Sequence, residues 1–344
     1  MIDDNFSHLN EMIKAFIGSR KEVLPSKFWM VLNQKNITQL KESGYKNFKR
    51  TVAHNYFTWI IRTKFWKDDQ IKFLYSNLPV LSTIKNIFRA IKSMLINRTK
   101  YLKIHQNIIY NFLTYMLWDY ASKHDFKNIL SKIEEPTEGN PPKIYLDGKL
   151  ISQDLANSFL EYQSIMSQIN QEEIDTILEL GPGYGRTAYI FLKLLPNLKY
   201  LFVDIPPALY IAETYISNQF KEKKIFRFRR FNSYDEIKED YEDSDIVFLL
   251  PAQLDLLPSE TADLFINISS LHEMRLDQID HYFNCIDKLI KKYVYIKQWK
   301  VSVLKYEDLV ITEKDYPIRK DWKQIYWRDC KVKTKFFEAL YRKF

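Results

Sequence analysis

The sequence predicts a doubly wound α/β domain with a mostly parallel sheet, preceded by a mostly helical N-terminal domain. Three observations predict it. From Asp175 onward, short apolar runs alternate with helical patterns. Three of the seven glycines crowd into residues 181–185, directly behind one such run. Residues 1–135 instead carry helical periodicity. The expected division is a helical domain over 1–150 and an α/β domain over 151–344.

The N-terminal part is read from its apolar spacing. Ile84, Ile87, Phe88, Ile91 and Leu95 recur at helical intervals, with Lys85, Arg89 and Lys92 on another face. No acidic residue occurs between Gln70 and Trp118, while seven basic ones do. Such a stretch is a solvated helical face, or a surface for anionic lipid heads or a phosphorylated acceptor. EEPTEGNPP at 134–142 lacks periodicity and reads as a loop or linker. Ser152 then caps a helix running to about Gln168.

In the second half the expected strands are Thr176–Leu180, Tyr200–Asp204, Asp245–Leu250, Asp263–Ile268 and Tyr293–Gln298. The expected helices between them are Tyr184–Leu195, Ala208–Phe220 and Leu276–Ile290, and Lys333–Tyr341 is expected as a terminal antiparallel strand. With 46% hydrophobic residues, 7 Trp, 23 Tyr and 23 Phe, the chain can bury a sizeable core and is not disordered. Cys285 and Cys330 are too few for a disulfide framework. The start carries early acids and no apolar signal core, and Ile104–Trp118 is too short to span a bilayer, so a cytoplasmic protein is expected. The net charge of +8 is a moderate excess, and nucleic acid is not the expected partner.

The glycine cluster is the first chemical signal. Gly181, Gly183 and Gly185 follow the strand TILEL and open a helix, the setting in which a cofactor approaches the main chain. A dinucleotide loop would read G-x-G-x-x-G, but the third glycine comes one residue early and Arg186 takes the later place. Asp204 closes the next strand 19 residues after Gly185, where an acid can accept hydrogen bonds from ribose hydroxyls.

ELGPGYG, with Glu179 two residues before Gly181, resembles motif I of class I S-adenosylmethionine-dependent methyltransferases. FVDIPPALYIAETYIS, LLPAQLDLLP, DLFINISSLHEM and the terminal FFEALY together resemble the sugar O-methyltransferase family of bacterial surface-polysaccharide loci. NFKRTVAHNYFTW and GKLISQDLANSFLEY extend that resemblance from about Pro25 to the end. It implies a Rossmann-like fold and transfer of a methyl group from S-adenosylmethionine to a sugar hydroxyl, leaving S-adenosylhomocysteine. Glu179, Gly181, Gly183, Gly185, Asp204, Ile205, Gln253, Leu254 and Asn267 are the implied cofactor-binding residues. Gln253 stands where the adenine-binding acid is usual, with Asp255 as rival.

Methyl transfer to a hydroxyl needs a positioned acceptor and a base. His272 and Glu273 follow the fourth strand at the carboxyl edge of the sheet, and either can be that base. His272, Glu273, Asp277, Asp280 and His281 show no metal-ligand spacing, so a divalent metal is not expected. Tyr184, Arg186, Tyr316 and Trp322, with His54, Asn55 and Tyr56 from the N-terminal domain, are candidates for touching the acceptor. That acceptor is expected to be a nucleotide-linked or lipid-linked glycan, with contact to an anionic membrane surface as a further partner. The alternatives are a nucleic-acid methyltransferase, disfavoured by NISS in place of an N/D-P-P-aromatic loop, and a catalytically silent cofactor-binding subunit.

Overall fold

The computed structural model describes residues 6–51, 69–96 and 104–344. The chain forms two compact units, one of residues 39–164 with 331–334, the other of residues 1–38, 165–330 and 335–344. The boundary therefore differs from a single cut at 150. Residues 7–17 join the sheet unit because Leu9, Met12 and Phe16 are buried and His8 Nε2 lies 3.0 Å from Glu213 Oε1.

The helical unit contains Asp69–Asn77, Val80–Ile96, Ile104–Lys123 and most of Gln153–Met166. Ser152 caps that last helix as expected, its Oγ accepting from Leu155 N at 3.0 Å. The stretch after the proline-rich loop pairs as a hairpin of β1 (Ile144–Leu146) and β2 (Lys149–Ile151), turning through Asp147-Gly148. A buried ion pair between Lys49 and Glu135 lies beneath it, with Ser152 Oγ donating to Glu135 Oε2 at 2.5 Å.

The sheet unit is Rossmann-like. Its strands are β3 (Thr176–Leu180), β4 (Lys199–Val203), β5 (Ile225–Phe226), β6 (Ile246–Leu249), β7 (Ala262–Ile268) and β8 (Ile290–Trp299). Next come a small hairpin of β9 (Val301–Leu304) and β10 (Leu309–Thr312), then β11 (Lys323–Asp329) and β12 (Phe336–Arg342). The eight-stranded sheet runs β11-β12-β8-β7-β3-β4-β6-β5. Six strands are parallel to one another, and β12 lies antiparallel between β8 and β11. Helices Arg186–Leu194, Ala208–Gln219 and Leu276–Leu289 make the crossovers.

Residues 246–249 and 262–268 are buried at every position. Strands covered on both faces read as unbroken apolar runs, and each such large side chain stabilises by roughly 1.5–3 kcal/mol. β3 sits between β4, its successor in the chain, and β7, which arrives from the opposite direction of winding. That reversal leaves a crevice at the carboxyl ends of β3, β4 and β7.

Candidate functional site

Three segments meet at that crevice, and the first is the glycine loop. Gly181, Gly183 and Gly185 hold φ values of 73°, 61° and 88°, a region closed to most side chains. A Cβ on Gly181 would stand 2.4 Å from Ser270 Oγ, which places the loop after β3 against the loop after β7. At Gly185 an added Cβ would press on Phe202 at 3.0 Å and Ile216 at 3.1 Å. Gly183 differs, because no atom lies within 4 Å of such a Cβ. Its main chain faces open space, as close approach of a ligand requires.

The second segment is the end of β4. Asp204 Oδ2 accepts from Gly183 N at 2.9 Å, and Oδ1 accepts from Ile205 N at 2.7 Å. The carboxylate thus holds the glycine loop and keeps further acceptor capacity on each oxygen. Burial pushes its carboxyl up to about 7, against the two N–H donors, which favour the charged form. Upstream on β3, Glu179 is buried and accepts from the Tyr200 hydroxyl at 2.6 Å.

The third segment follows β7 and carries the two candidate bases. His272 is almost fully buried, its Nδ1 3.0 Å from Gln298 Oε1. The Gln298 amide is oriented by its other end, since Nε2 donates to Asn267 O at 3.2 Å and Asn267 Oδ1 at 2.5 Å. Trp299 N lies farther from Nδ1, at 3.5 Å, so the shorter contact assigns the proton to Nδ1 and the lone pair to Nε2. That Nε2 lies 3.7 Å from Glu273 Oε1. Trp29 Nε1–H donates to the other carboxyl oxygen of Glu273 at 3.1 Å, and Ser26 Oγ donates to the Glu273 carbonyl at 2.8 Å.

Burial moves the two groups in opposite directions. It holds the His272 imidazole down to about 4, with the Gln298 bond opposing. It pushes the Glu273 carboxyl up to about 8, with the Trp29 bond opposing. The imidazole is neutral near pH 7, and the carboxyl titrates close to that pH. Their exposure also differs: 15% of the Glu273 side chain reaches solvent, against 3% for His272.

Several expected contacts are made otherwise. Gln253 is consumed by its own turn, with Oε1 accepting from Leu250 N and Nε2 donating to Arg229 O, both at 2.8 Å. The Leu254 side chain is in the hydrophobic core, which leaves its main chain as the part that can meet a ligand. Asp255 pairs with Arg20. Asn267 is fully buried and ties Leu180 O, Leu271 N and Gln298 together, so it braces the crevice from behind. Ile205 reaches the site through its N–H.

Tyr184 is buried with its ring edge-on to Tyr215 at 5.5 Å, and Arg186 is buried where its charge acts on the Tyr200 hydroxyl. Tyr316 and Trp322 are core residues, packed on Phe337 and Phe283, and are not placed to touch an acceptor. His54, Asn55 and Tyr56 lie outside the described residues. The five-residue acid and histidine run does not gather, since Asp277 pairs with Arg275. Its His281 instead joins Asp255 and Cys285 with ligand atoms within 4.8 Å of one another.

Sequence reasoning missed Trp29, Ser26 and Gln298. A glutamine near the end of the apolar run YVYIKQW was the available signal for Gln298, because a buried amide must have partners. Nothing in the sequence ties residues 26–29 to residue 273.

No protein-family model matches the chain, and no curated protein matches it. Among solved structures it is similar to a SAM dependent methyltransferase from Aquifex aeolicus, at 14% identity over 53% of this chain and 89% of that one, with a TM-score of 0.33. It is also similar to human N-acetylserotonin methyltransferase in complex with SAM, at 17% identity over 67% of each chain and a TM-score of 0.33. A third is the Burkholderia thailandensis 1,6-didemethyltoxoflavin-N1-methyltransferase with bound S-adenosylhomocysteine, at 12% identity over 66% of this chain and 87% of that one, with a TM-score of 0.37.

Proposed function

We propose that the protein is an S-adenosylmethionine-dependent O-methyltransferase whose acceptor is a sugar hydroxyl. The observation that carries the cofactor assignment is the Asp204 carboxylate bonded to the main chain of Gly183 beside open space. A nucleoside ribose placed there meets an acceptor with spare lone pairs, and the glycine main chain leaves room for the rest of the cofactor. Gly181, Gly183, Gly185, Asp204 and the Ile205 main chain would hold it, with Glu179 behind the loop. When bound, the cofactor supplies an electrophilic methyl group.

The protein's part is to position the acceptor and remove its proton. Glu273 suits the second task, being the more exposed of the pair and titrating near working pH. In its ionised form Oε1 is the atom that takes the hydroxyl proton, while Trp29 holds Oε2. His272 is then a positioning residue. Its Nε2 lies 3.7 Å from Oε1, beyond hydrogen-bond range, and sets the electrostatic surroundings of that oxygen. A base of this strength fits a poorly acidic alcohol, and the sugar O-methyltransferase resemblance of the surrounding motifs supports a sugar as that alcohol.

The test is release of S-adenosylhomocysteine by purified protein with nucleotide sugars, a lipid-linked glycan and RNA as separate acceptors. Release with a sugar acceptor is expected. Release with RNA alone would refute the substrate class, and none with any acceptor despite tight cofactor binding would favour a silent subunit.

A further inference from the structure

The helix Val80–Ile96 is amphipathic with its polar side inward. Asn86 and Ala90 are fully buried, and Ser93 nearly so. Asn86 Nδ2 donates to Asp119 Oδ2 at 2.7 Å, Ser82 Oγ donates to the same carboxylate, and Arg89 lies 3.7 Å from Asp119 Oδ1. Asp119 thus claims the polar side. The apolar side is left outward, with Leu81 78% exposed, Phe88 69% and Leu95 74%, and Ile84 and Ile91 between them. Arg89, expected among the outward basic residues, is held inward. A helix of this length carries that stripe for about 25 Å.

Globular helices bury their apolar stripe, and an exposed one of this length marks an interaction surface. Two features identify its occupant. Lys85 and Lys92 are exposed along one edge of the stripe and make no ion pair among the described residues. No acidic residue lies between Gln70 and Trp118. Apolar side chains edged by lysines, in a stretch without acids, match an anionic bilayer surface: the stripe enters the acyl boundary and the ammonium groups reach the headgroups. A second copy of the same face would instead set lysines against lysines.

We propose that the helix Val80–Ile96 docks the protein on an anionic lipid surface. This surface is independent of the cofactor assignment. If the acceptor is lipid-linked, docking also brings the enzyme to it.

The test is co-sedimentation of the full-length protein with vesicles of phosphatidylcholine mixed with phosphatidylglycerol, and with pure phosphatidylcholine vesicles. Binding to the mixed vesicles is expected, weaker on phosphatidylcholine and weakened by salt. Phe88→Ser with Leu95→Ser should reduce it about tenfold or more while the melting temperature stays unchanged, because both side chains are exposed. Lys85→Glu with Lys92→Glu should cost a similar factor on the mixed vesicles only. Absence of wild-type binding, or binding indifferent to these changes, would overturn the proposal. So would a lower melting temperature for the serine variant, which would mean that the chain covers its own stripe. A wild-type dimer that the serine variant makes monomeric would assign the face to a second copy and overturn it as well.

Discussion

Trp29 Nε1 donates to Glu273 Oε2 at 3.1 Å across a separation of 244 residues. The bond stabilises the ionised carboxyl, so it opposes the upward push of burial. Trp29→Phe keeps most of the packing and removes the donor. Glu273 should then titrate higher still, and the rising limb of the rate against pH should move to more alkaline pH. A limb that stays in place would show that the indole is not coupled to the reacting proton.

Glu273→Gln should lower kcat by roughly 10²–10⁴-fold with cofactor affinity nearly unchanged, the range for loss of a general base. His272→Gln should cost less and move the limb as well, because it alters the group facing Oε1. The profile itself separates the two candidates. With Glu273 as base the rate rises toward pH 8, the value at which its carboxyl titrates. With His272 as base it is already flat by pH 6 and falls only toward pH 4.

The same shift has a stability signature. Glu273 titrates near 8 in the folded protein against an ordinary 4.5, so the native state holds a proton that the unfolded chain releases. Its contribution is fully present below pH 4.5 and is lost as pH rises through 8. Glu273→Gln does not titrate and should overtake wild type across that window, by roughly 2–4 kcal/mol at its alkaline end. Thermal melts at pH 5 and pH 9 check this. An unchanged difference between the two proteins would place Glu273 in an ordinary solvated setting.

The glycine loop makes a purely geometric prediction. Gly181→Ala puts a methyl group 2.4 Å from Ser270 Oγ at a φ of 73°. It should destabilise the protein by about 1–3 kcal/mol and weaken cofactor binding, as a strained left-handed residue does. A melt and a binding isotherm on one preparation read both. Gly183→Ala meets no neighbour and should lose binding with a smaller stability cost.

How far the site was legible follows from what each residue spends its polar groups on. Main-chain exposure at the glycine loop and a strand-end acid at Asp204 leave local marks in the sequence. The amides of Gln253 and Asn267 leave none, because they satisfy turn and strand ends that only the fold creates. Residue type alone marks Tyr316 and Trp322 as ligand-facing, yet the core claims them. The central strands are legible as buried apolar runs, but their order in the sheet leaves no such mark. The two-residue β5 and the β9/β10 hairpin, half of whose residues are exposed, carry no such run. Periodicity found the helix Val80–Ile96 but assigned its apolar stripe no direction, since Asp119 lies outside the pattern.

The most direct test of the central claim is calorimetric binding of S-adenosylhomocysteine to wild type and to Asp204→Ala, without added metal. Wild type should bind, and the variant should lose about 1.5–3 kcal/mol, the scale of hydrogen bonds to a carboxylate. Binding of NAD(H) with no binding of S-adenosylhomocysteine, or equal affinity in the two proteins, would contradict the assignment.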